Sequence, residues 1–394
     1  MEKVRLGIVG LGGRGKYLSA MLLDMEGCEI CSVCDVYADR VEELQKTVKD
    51  KKGTDVFGTL DYKEQIAHGG IDALVICTAW ESHIEIATAA MRAGLPVGME
   101  VGGAYTVEDC FTLVRTQVET GTKFMFLENC CYGRAELAVW NMVKQGLFGE
   151  VVHCAGGYQH DLRPQVLTGE EKRHYRLRNY IERNCDNYPM HALGPIAKML
   201  GINEGNRMLY LTSMASRAAG LNDYAALHPE RFQEKYQNQI FNQGDVIRTE
   251  IMCENGTTIS LTLNTTCSHP YSRHYTVQGT RARYCEEGQY FFMDIDHDAK
   301  MGDKPETYLG NQKEYLEKYD HPIWQKFLHD GVRGGHGGMD WLLFEDFFDY
   351  ILHGGKSPID VYDAAAWMCI TPLSAQSIRE GSRPVEIPDF TKIK

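Results

Sequence analysis

The first forty residues carry the spacing of a nucleotide-binding loop. Gly10, Gly12 and Gly15 form G-x-G-x-x-G between a predicted strand, RLGIV, and a predicted helix, KYLSAMLLDM. In that context the glycines allow a tight turn and let a pyrophosphate approach the helix N-terminus. Asp35 ends the next predicted strand, where a carboxylate can accept hydrogen bonds from both adenosine ribose hydroxyls. We therefore predict NAD rather than NADP, because the Asp35 charge would repel a 2′-phosphate, unless Arg40 turns inward and compensates. The alternative is a glycine turn that holds no nucleotide.

Length and composition restrict the class of protein. A chain of 394 residues exceeds one usual hydrophobic core, so we expect two domains. The net charge of -13 disfavours nucleic acid or an anionic membrane as the main partner. No run approaches the roughly 20 apolar residues of a membrane span. A strand follows the initial methionine and leaves no room for a signal peptide, and the 13 cysteines, an odd number, are expected to be reduced thiols. These features predict a cytoplasmic protein.

The order of predicted elements indicates the fold class. Up to residue 127, short β-rich runs alternate with helical stretches, which predicts an α/β Rossmann domain at residues 1–127. Longer strand candidates then follow in series, so residues 128–394 are expected to form an α+β domain with a large, mostly antiparallel open sheet. The Asn255–Gly256 pair predicts a hairpin with a tight primed turn. Helices are predicted at YPMHALGPIAKML, MDWLLFEDFFDYILHGG and DVYDAAAWMCITPLSAQSIREG.

Several residues of the second half could exchange protons with a ligand. Tyr188 and His191 lie three apart in a predicted helix and so share a face. Phenol and imidazole suit proton transfer if the pocket tunes their pKa values, although His191 alone is also compatible with a satisfied structural histidine. His336 stands between glycines in GGHGGMD, which indicates either a loop close to a ligand or a turn before a helix with Asp340 near its N-terminus. No metal site is predicted, because no close-spaced His, Cys and Asp set lies on one face.

Over essentially its whole length the chain resembles the Gfo/Idh/MocA superfamily of sugar oxidoreductases. The glycine loop, the stretch VICTAWESHIEIATAAMRAGLPVGMEV and the α+β second half carry this resemblance. In that superfamily the fifth strand usually ends in Glu-Lys-Pro, and a later helix carries an Asp with a His four residues on. Here Glu100 and His191 are retained, but Val101 and Asn187 stand in place of the lysine and the aspartate. An ordinary sugar dehydrogenase is therefore disfavoured.

The chain resembles more closely the NAD-dependent glycosidases of glycoside hydrolase family 109, whose known activity is α-N-acetylgalactosaminidase. The resemblance runs from residue 127 to residue 340 through LENCCYGRAELAVWNMVKQGLFGEV, GGYQHDLR, YRLRNYIERNCDNYPMHALGPIAKMLGINEGNR, HPYSRHYTVQG and GGHGGMD. It implies sugar-site roles for Glu128, Tyr158, Arg176, Tyr188, His191 and Tyr271. The cofactor-binding residues expected from the loop and the resemblance are Gly10, Gly12, Gly13, Arg14, Gly15, Asp35, Thr78, His83 and Glu100.

The resemblance implies hydrolysis in which a hydride is borrowed and returned. Oxidation of the sugar C3 alcohol would acidify the C2 proton, so that the C1 substituent leaves by elimination, water adds and the ketone is reduced again. His191 is expected to take the C3 hydroxyl proton, Tyr158 the C2 proton, and Tyr271 to assist at the anomeric centre, with the division between the tyrosines left open. Glu128 and Arg176 would fix the pose of the sugar, and His336 is also expected to bind substrate.

Other interpretations remain at this point. The chain could be a sugar oxidoreductase that keeps the hydride, or a non-catalytic sugar or NAD sensor. Taken alone, Tyr158 and Tyr271 are compatible with core or rim positions, Arg176 with a surface ion pair, and Glu128 with a helix cap. A small glycoside or oligosaccharide is the expected substrate, and the open face of the second sheet suggests a homo-oligomer.

Overall fold

The computed structural model describes residues 2–232, 235–294 and 303–393. These residues form two compact units, each built from more than one segment of the chain. The first unit contains the residues through Asn129, Arg333–Cys369 and the residues from Phe390 onward, and the second contains Cys130–Val332 and Ile370–Asp389. Among the described residues, no helix combines the length and the apolar character needed to span a bilayer.

Fourteen strands form two sheets in the described residues. Their bounds are β1 Val4–Val9, β2 Cys28–Cys34, β3 Phe57–Thr59, β4 Ala73–Ile76, β5 Val97–Met99, β6 Phe124–Phe126, β7 Val151–Gln159, β8 Met208–Ala215, β9 Val246–Cys253, β10 Thr258–Asn264, β11 Thr276–Gly279, β12 Ala282–Cys285, β13 Tyr290–Met293 and β14 Val385–Glu386.

Sixteen α-helices connect or cover these strands in the part of the chain that is described. Their bounds are α1 Gly13–Leu22, α2 Ala38–Lys52, α3 Tyr62–His68, α4 Trp80–Arg92, α5 Val107–Thr120, α6 Arg134–Lys144, α7 Arg163–Leu167, α8 Arg176–Glu182, α9 Met190–Met199, α10 Gly220–Leu227, α11 Pro229–Phe232, α12 Gln312–Tyr319, α13 Pro322–Asp330, α14 Met339–His353, α15 Val361–Met368 and α16 Ile370–Arg379.

The first unit contains the predicted Rossmann sheet. Its six strands are all parallel, in the order β3-β2-β1-β4-β5-β6. Strands β4, β5 and β6 are buried throughout, as expected for parallel strands covered by helices on both faces. The sequence pattern missed β3, because three residues are too few to show a hydrophobic period.

The second unit contains the predicted open sheet, with eight strands in the order β13-β12-β11-β7-β10-β9-β8-β14. Only the β7–β10 pair is parallel among these neighbours, so the sheet is mostly antiparallel. Strand β10 alternates buried and half-buried residues along its whole length, which is typical of a sheet with one covered face. Helix α9 packs on β7, and Gly156 permits this, because a Cβ there would lie 2.7 Å from the Cβ of Ala192.

Two local predictions need correction. The hairpin between β9 and β10 is present, but its turn is not a primed turn, because Gly256 has a positive φ of 86° and Asn255 does not. A loop of Glu254, Asn255 and Gly256 with glycine in the left-handed conformation suits the strand twist equally well. The helix predicted across residues 360–381 is broken at Cys369, since Pro372 cannot donate the hydrogen bond that would continue α15 into α16.

The chain crosses between the units four times, after Asn129, Val332, Cys369 and Asp389. The first crossing lies two residues beyond the boundary predicted at 127/128. The later crossings arise because α14 and α15 lie in the first unit, where α15 contacts α5 and β6. The alternation of strand and helix patterns predicts which consecutive elements form a unit. It does not predict that helices 200 residues further along the chain join the same unit.

Candidate active site

The glycine loop of the first unit is shaped for close approach of a ligand to backbone. Gly10 has a φ of 88°, and a Cβ there would lie 2.4 Å from the backbone nitrogen of Thr78. A Cβ on Gly15 would lie 1.9 Å from the carbonyl oxygen of Gly10. Helix α1 begins at Gly13, so Gly15 lies in its first turn, and the helix has no side-chain cap. No described atom lies within 4 Å of the position that a Cβ on Gly13 would occupy. The uncapped N–H groups and the open space fit a pyrophosphate.

Asp35 follows β2 and faces the same loop. Its buried carboxylate accepts hydrogen bonds from the backbone N–H of Leu11 at 2.7 Å and of Tyr37 at 3.0 Å. The Arg40 Nη1 atom lies 3.4 Å from Asp35 Oδ2, so Arg40 is turned toward the carboxylate. Asp35 therefore stands at the position expected for a ribose-binding acid, with part of its charge balanced by Arg40.

Arg14 of the glycine loop is held between two buried carboxylates. Its Nε donates to Glu100 Oε1 at 2.9 Å, and its two terminal nitrogens donate to both oxygens of Asp340 at 3.0 and 2.7 Å. Burial disfavours the charged forms, but the ion pairs outweigh burial, so the pKa of Arg14 is raised and the pKa of Asp340 is lowered. This bidentate pair fixes the guanidinium beside the loop. Asn129, which the sequence prediction omitted, also donates to Asp340, at 2.9 Å.

His336 lies beside this pair in the first unit. Its Nδ1 is 2.6 Å from Asp340 Oδ2, and its ring meets the edge of Tyr17 at a centroid distance of 5.5 Å. A Cβ on Gly335 would coincide with the Tyr17 hydroxyl, at 1.0 Å, so the glycine is required for this approach. The segment is a turn before α14 with Asp340 in the first helical turn, as in the second of the two sequence interpretations. A substrate-binding role for His336 stays a prediction.

The remaining predicted residues of the first unit lie under or beside the loops that follow β4, β5 and β6. His83 bridges two of these loops, with Nδ1 3.2 Å from the Gly102 carbonyl oxygen and Nε2 3.0 Å from that of Thr78. Burial lowers the pKa of His83, and the contacts with the two carbonyl oxygens act in the opposite direction. Glu128 follows β6 and is fully buried. Their direct roles toward a cofactor or a sugar stay predictions.

In the second unit, four of the predicted sugar-site residues form one aromatic cluster around Tyr158. The Tyr158 ring lies 4.4 Å from that of Tyr188, 5.6 Å from the His191 imidazole and 6.5 Å from the ring of Tyr271, between centroids. Residue 158 lies near the end of β7, and the close packing of α9 on this strand brings the pair Tyr188 and His191 to it. The structure thus collects residues separated by more than 100 positions in sequence.

Tyr188 and His191 contact each other directly. The Tyr188 hydroxyl lies 3.3 Å from His191 Nε2, and the rings are nearly perpendicular at a centroid distance of 4.8 Å. Helix α9 begins at Met190, so Tyr188 precedes the helix and the pair forms at its N-terminus rather than along a helical face. Asn187, in place of the family aspartate, is buried and donates to Gln243 Oε1 at 3.2 Å. An amide there cannot take the proton that a carboxylate could.

Arg176 brings a buried positive charge to the cluster. The residue is 6% exposed, and its guanidinium carbon lies 5.2 Å from the ring centroid of Tyr188 and 6.0 Å from that of Tyr158. Burial raises the pKa of Tyr158, whereas the Arg176 charge acts in the opposite direction. Arg176 is therefore not the exposed ion pair that the sequence alone left open, and its charge is effective because the site is poorly hydrated.

His160 is a member of the cluster that the sequence prediction missed. Its imidazole lies 4.9 Å from the Tyr158 ring and 5.3 Å from the Tyr271 ring, nearly perpendicular to both. Burial, together with the nearby Arg176 charge, lowers the pKa of His160 to about 4, so the ring is neutral near pH 7. Strand alternation in the sequence could have predicted this position, because a residue two positions after Tyr158 in an extended segment lies on the same side of the strand as Tyr158.

The assembled groups suit proton transfer to and from a polyol. Tyrosine, histidine and arginine side chains surround one another in the second unit, and a glycine-loop cradle lies in the first. Val101, which stands where the resemblance implies a lysine, is buried.

Comparison with known proteins agrees with this division of the chain. The family model described as glycosyl hydrolase 109, C-terminal domain, matches residues 132–394, and the model for the oxidoreductase family, NAD-binding Rossmann fold, matches residues 4–127. A glycosyl hydrolase family 109 protein of Stenotrophomonas maltophilia is 36% identical over 99% of this chain and 89% of its own length. Alpha-N-acetylgalactosaminidases of Tannerella forsythia and Shewanella oneidensis are 34% and 36% identical, over 99% and 100% of this chain and 86% of each relative.

Solved structures show the same fold at low sequence identity. The myo-inositol 2-dehydrogenase of Lactobacillus plantarum superposes with a TM-score of 0.69 at 15% identity, covering 98% of this chain and all of that one. An oxidoreductase from Agrobacterium radiobacter, solved in complex with NAD+, L-tartaric acid and magnesium, superposes with a TM-score of 0.67 at 15% identity, covering 98% of each chain.

Proposed function

The chain belongs to glycosyl hydrolase family 109, and on that premise we propose that it is an NAD-dependent glycosidase acting on α-N-acetylgalactosaminides or related small glycosides. The observation that carries the proposal is the cluster of Tyr188, His191 and Tyr271 around Tyr158, with the buried Arg176 charge beside the rings of Tyr158 and Tyr188. A sugar has several hydroxyl protons to move and no charge to neutralise, which matches a site of phenols and imidazole. The names of the two α-N-acetylgalactosaminidases that resemble this chain suggest the sugar.

The first unit fits the nucleotide that this proposal requires. The glycine loop would hold its pyrophosphate at the N-terminus of α1, and Asp35 would hold the adenosine ribose, which favours NAD over NADP. Thr78 and Glu100 belong to the loops that follow β4 and β5, and His83 lies near the start of α4, at the carboxyl ends of the strands where such ligands bind. Bound NAD would supply reversible hydride acceptance, so that the sugar alcohol at C3 can be oxidised and later restored.

His191 would act on the C3 hydroxyl proton. The 3.3 Å contact with the Tyr188 hydroxyl fixes the orientation of the imidazole, which a general base needs before its pKa matters. Once C3 is a ketone, the proton on C2 becomes acidic. Tyr158 would accept this proton, and the Arg176 charge favours the phenolate that this role requires, against the effect of burial.

Elimination and hydration would follow at C1. The electron pair of the C2–H bond forms the C1=C2 double bond, and the pair of the C1–O bond leaves with the glycosidic oxygen, which takes a proton from Tyr271. Water then forms a new bond to C1 and returns its proton to Tyr271, while C2 regains a proton from Tyr158. C3 finally regains its hydride, and its oxygen regains the proton held by His191, so the sum is hydrolysis with no net oxidation. Glu128 and Arg176 would hold the sugar, so their substitution should raise KM more than substitution of His191 does.

The test is incubation of the purified protein with NAD and a panel of aryl α- and β-glycosides, with aryl alcohol release and NADH absorbance followed together. Release without accumulation of NADH would support a glycosidase. NADH accumulating in proportion to sugar without release would contradict it and indicate an oxidoreductase, and neither signal with any sugar would indicate a binding protein. His153→Gln is a matched control, because this histidine lies earlier on β7 and contacts Thr258, outside the cluster.

A further inference from the structure

The segment that carries Tyr271 is attached to the strand that carries Tyr158. The Gly157 N–H donates to the carbonyl oxygen of Arg273 at 2.6 Å, and the backbones of Gln159 and Ser272 exchange two hydrogen bonds at 2.8 and 3.1 Å. These contacts flank Tyr158 on both sides. They hold the backbone around Tyr271 against β7. They do not hold the side of this segment that faces away from β7.

A buried ion pair supplies that second attachment. Arg273 Nη1 lies 2.6 Å from Glu136 Oε1 of helix α6, and the two side chains are only 13% and 4% exposed. A second carboxylate oxygen, from Glu286, is 3.9 Å from Arg273 Nε. A Cβ on Gly133 would lie 2.0 Å from Glu136 Oε2, so the turn before α6 leaves room for this carboxylate only because residue 133 is glycine.

Stability alone does not account for such a pair. Removing two charges from water costs several kcal/mol per ion, and hydrophobic replacements of similar volume are often as stable. The neighbouring residue adds a second unfavourable feature, because His274 has a φ of 52° in the left-handed region that non-glycine residues avoid. Strain of this kind persists where the surroundings fix the backbone, and it is concentrated near functional groups.

We propose that Glu136 and Arg273 are positioning residues that fix the Tyr271 phenol relative to Tyr158 for proton transfer at the glycosidic oxygen. The inference rests on the proposed function for what Tyr271 does, and on the contacts above for where it is held. Tyr271 needs such support because its side chain is 56% exposed and its segment pairs with the end of β7 over only a few residues. The Arg273 charge also lowers the pKa of Tyr271, against a larger effect of desolvation that raises it.

The direct test uses 3-fluorotyrosine incorporated at position 271, observed by fluorine NMR in the full-length protein with NAD. In the parent protein we expect one narrow resonance. In Arg273→Met and Glu136→Gln the resonance should shift and split or broaden, because the phenol samples several positions. Arg273→Lys, which keeps the charge but not the planar fork, should restore part of the parent spectrum.

Kinetics provide the second readout. Because misplacing a reacting group by about 1 Å can cost on the order of 100-fold in rate, we expect Arg273→Met to lower kcat by about 10- to 100-fold with little change in KM. Arg134→Met is the matched control, since Arg134 lies on the same helix α6 and pairs with the buried Asp320 at 2.6 Å, away from Tyr271. It should leave both the fluorine spectrum and kcat unchanged.

An unchanged fluorine resonance in Arg273→Met and Glu136→Gln would overturn the inference, and so would an equal loss of kcat in Arg134→Met. If Arg273→Met does not fold, Arg273→Lys and Glu136→Gln carry the same test. If the parent protein releases no aglycone at all, the proposed function fails, while the fluorine spectra still decide whether the pair positions Tyr271.

Discussion

The hydroxyl of Tyr188 lies 3.3 Å from Nε2 of His191, across the N-terminal end of helix α9. Both rings also contact Tyr158, which lies near the end of a strand in the same unit. One short helix packed on one strand therefore assembles three groups that can hold or move a proton. This pair connects the sequence spacing Tyr-x-x-His to the chemistry proposed for the C3 hydroxyl.

Separate substitutions of His191 and Tyr188 should distinguish proton transfer by the imidazole from the orientation of the imidazole. His191→Gln keeps a hydrogen-bonding group but cannot take a proton, so kcat should fall by at least about 100-fold. Tyr188→Phe keeps the ring, removes the hydrogen bond to the imidazole, and should lower kcat by about 10-fold. Initial rates with an aryl glycoside measure both, and calorimetric NAD affinity serves as the control. Activity of His191→Gln near that of the parent would contradict the assigned role.

Substitutions of His160 can show whether its ring packing or a hydrogen bond of its imidazole nitrogen matters for activity. Its Nε2 is buried with no hydrogen-bond partner in the described part of the chain, while the ring contacts both Tyr158 and Tyr271. His160→Phe keeps the ring and removes the unpartnered nitrogen, so the free energy of unfolding should rise by about 1 kcal/mol with kcat nearly unchanged. His160→Gln should lose the contact and lower kcat. The inverse order of activities would indicate that the nitrogen contacts the substrate.

The cofactor preference should depend on Asp35. Asp35→Asn keeps an oxygen for the Leu11 N–H but removes the charge, and Arg40 loses its carboxylate partner. We expect NAD affinity to fall by about 10-fold and NADP affinity to rise, because the repulsion of the 2′-phosphate is removed. Calorimetric titration with each dinucleotide measures this. Equal NAD affinity in the two proteins would show that Asp35 does not contact the ribose.

The contributions of Asp340 and Asp186 to the free energy of unfolding should change with pH in opposite directions. The ionised Asp340 carboxylate stabilises the folded state. Burial acts to raise the pKa of Asp340, but the hydrogen bond from His336 and the ion pair with Arg14 lower it below its usual value. The stabilisation is therefore complete above the unfolded pKa and is lost as the pH falls below about 4. Asp340→Asn should lower the free energy of unfolding by about 2 kcal/mol at pH 7, measured by urea denaturation. It should also weaken NAD binding. No change in either quantity would contradict the role assigned to the Arg14 pair.

Asp186 is the destabilising carboxylate. Burial raises its pKa from the usual 3.8 to about 7, so the folded state is favoured with the neutral acid and loses stability as the pH rises from about 4 to 7. Asp186→Asn should therefore be more stable than the parent by ~2–4 kcal/mol at pH 8, and the difference should close near pH 4. Urea denaturation across this range checks it. A difference that does not depend on pH would show that Asp186 is ionised throughout.

The sequence was sufficient wherever a feature is local. The glycine loop, the acid at Asp35 and the strand-helix alternation lie within forty residues of one another or repeat regularly, so spacing alone places them. The resemblance supplied Tyr158, Arg176 and Tyr271, which spacing could not connect. The aromatic cluster brings all three together in one unit, and this agrees with the family assignment.

The sequence was insufficient where partners come from distant parts of the chain. Asp340 reaches Arg14 from more than 300 positions away, and Glu136 meets Arg273 across 137 positions. No periodicity reports such pairs. His160 is different, because strand alternation predicts that a residue two positions after Tyr158 lies on the same side as Tyr158.

In the proposed mechanism the glycosidic bond breaks by elimination after C3 oxidation, with transient loss of the C2 proton. Turnover of an α-N-acetylgalactosaminide in deuterated water with NAD, followed by NMR of the released sugar, tests this step. We expect deuterium at C2, no accumulation of NADH, and loss of both release and exchange in Tyr158→Phe. Released sugar with protium at C2 would contradict it and indicate direct displacement at C1.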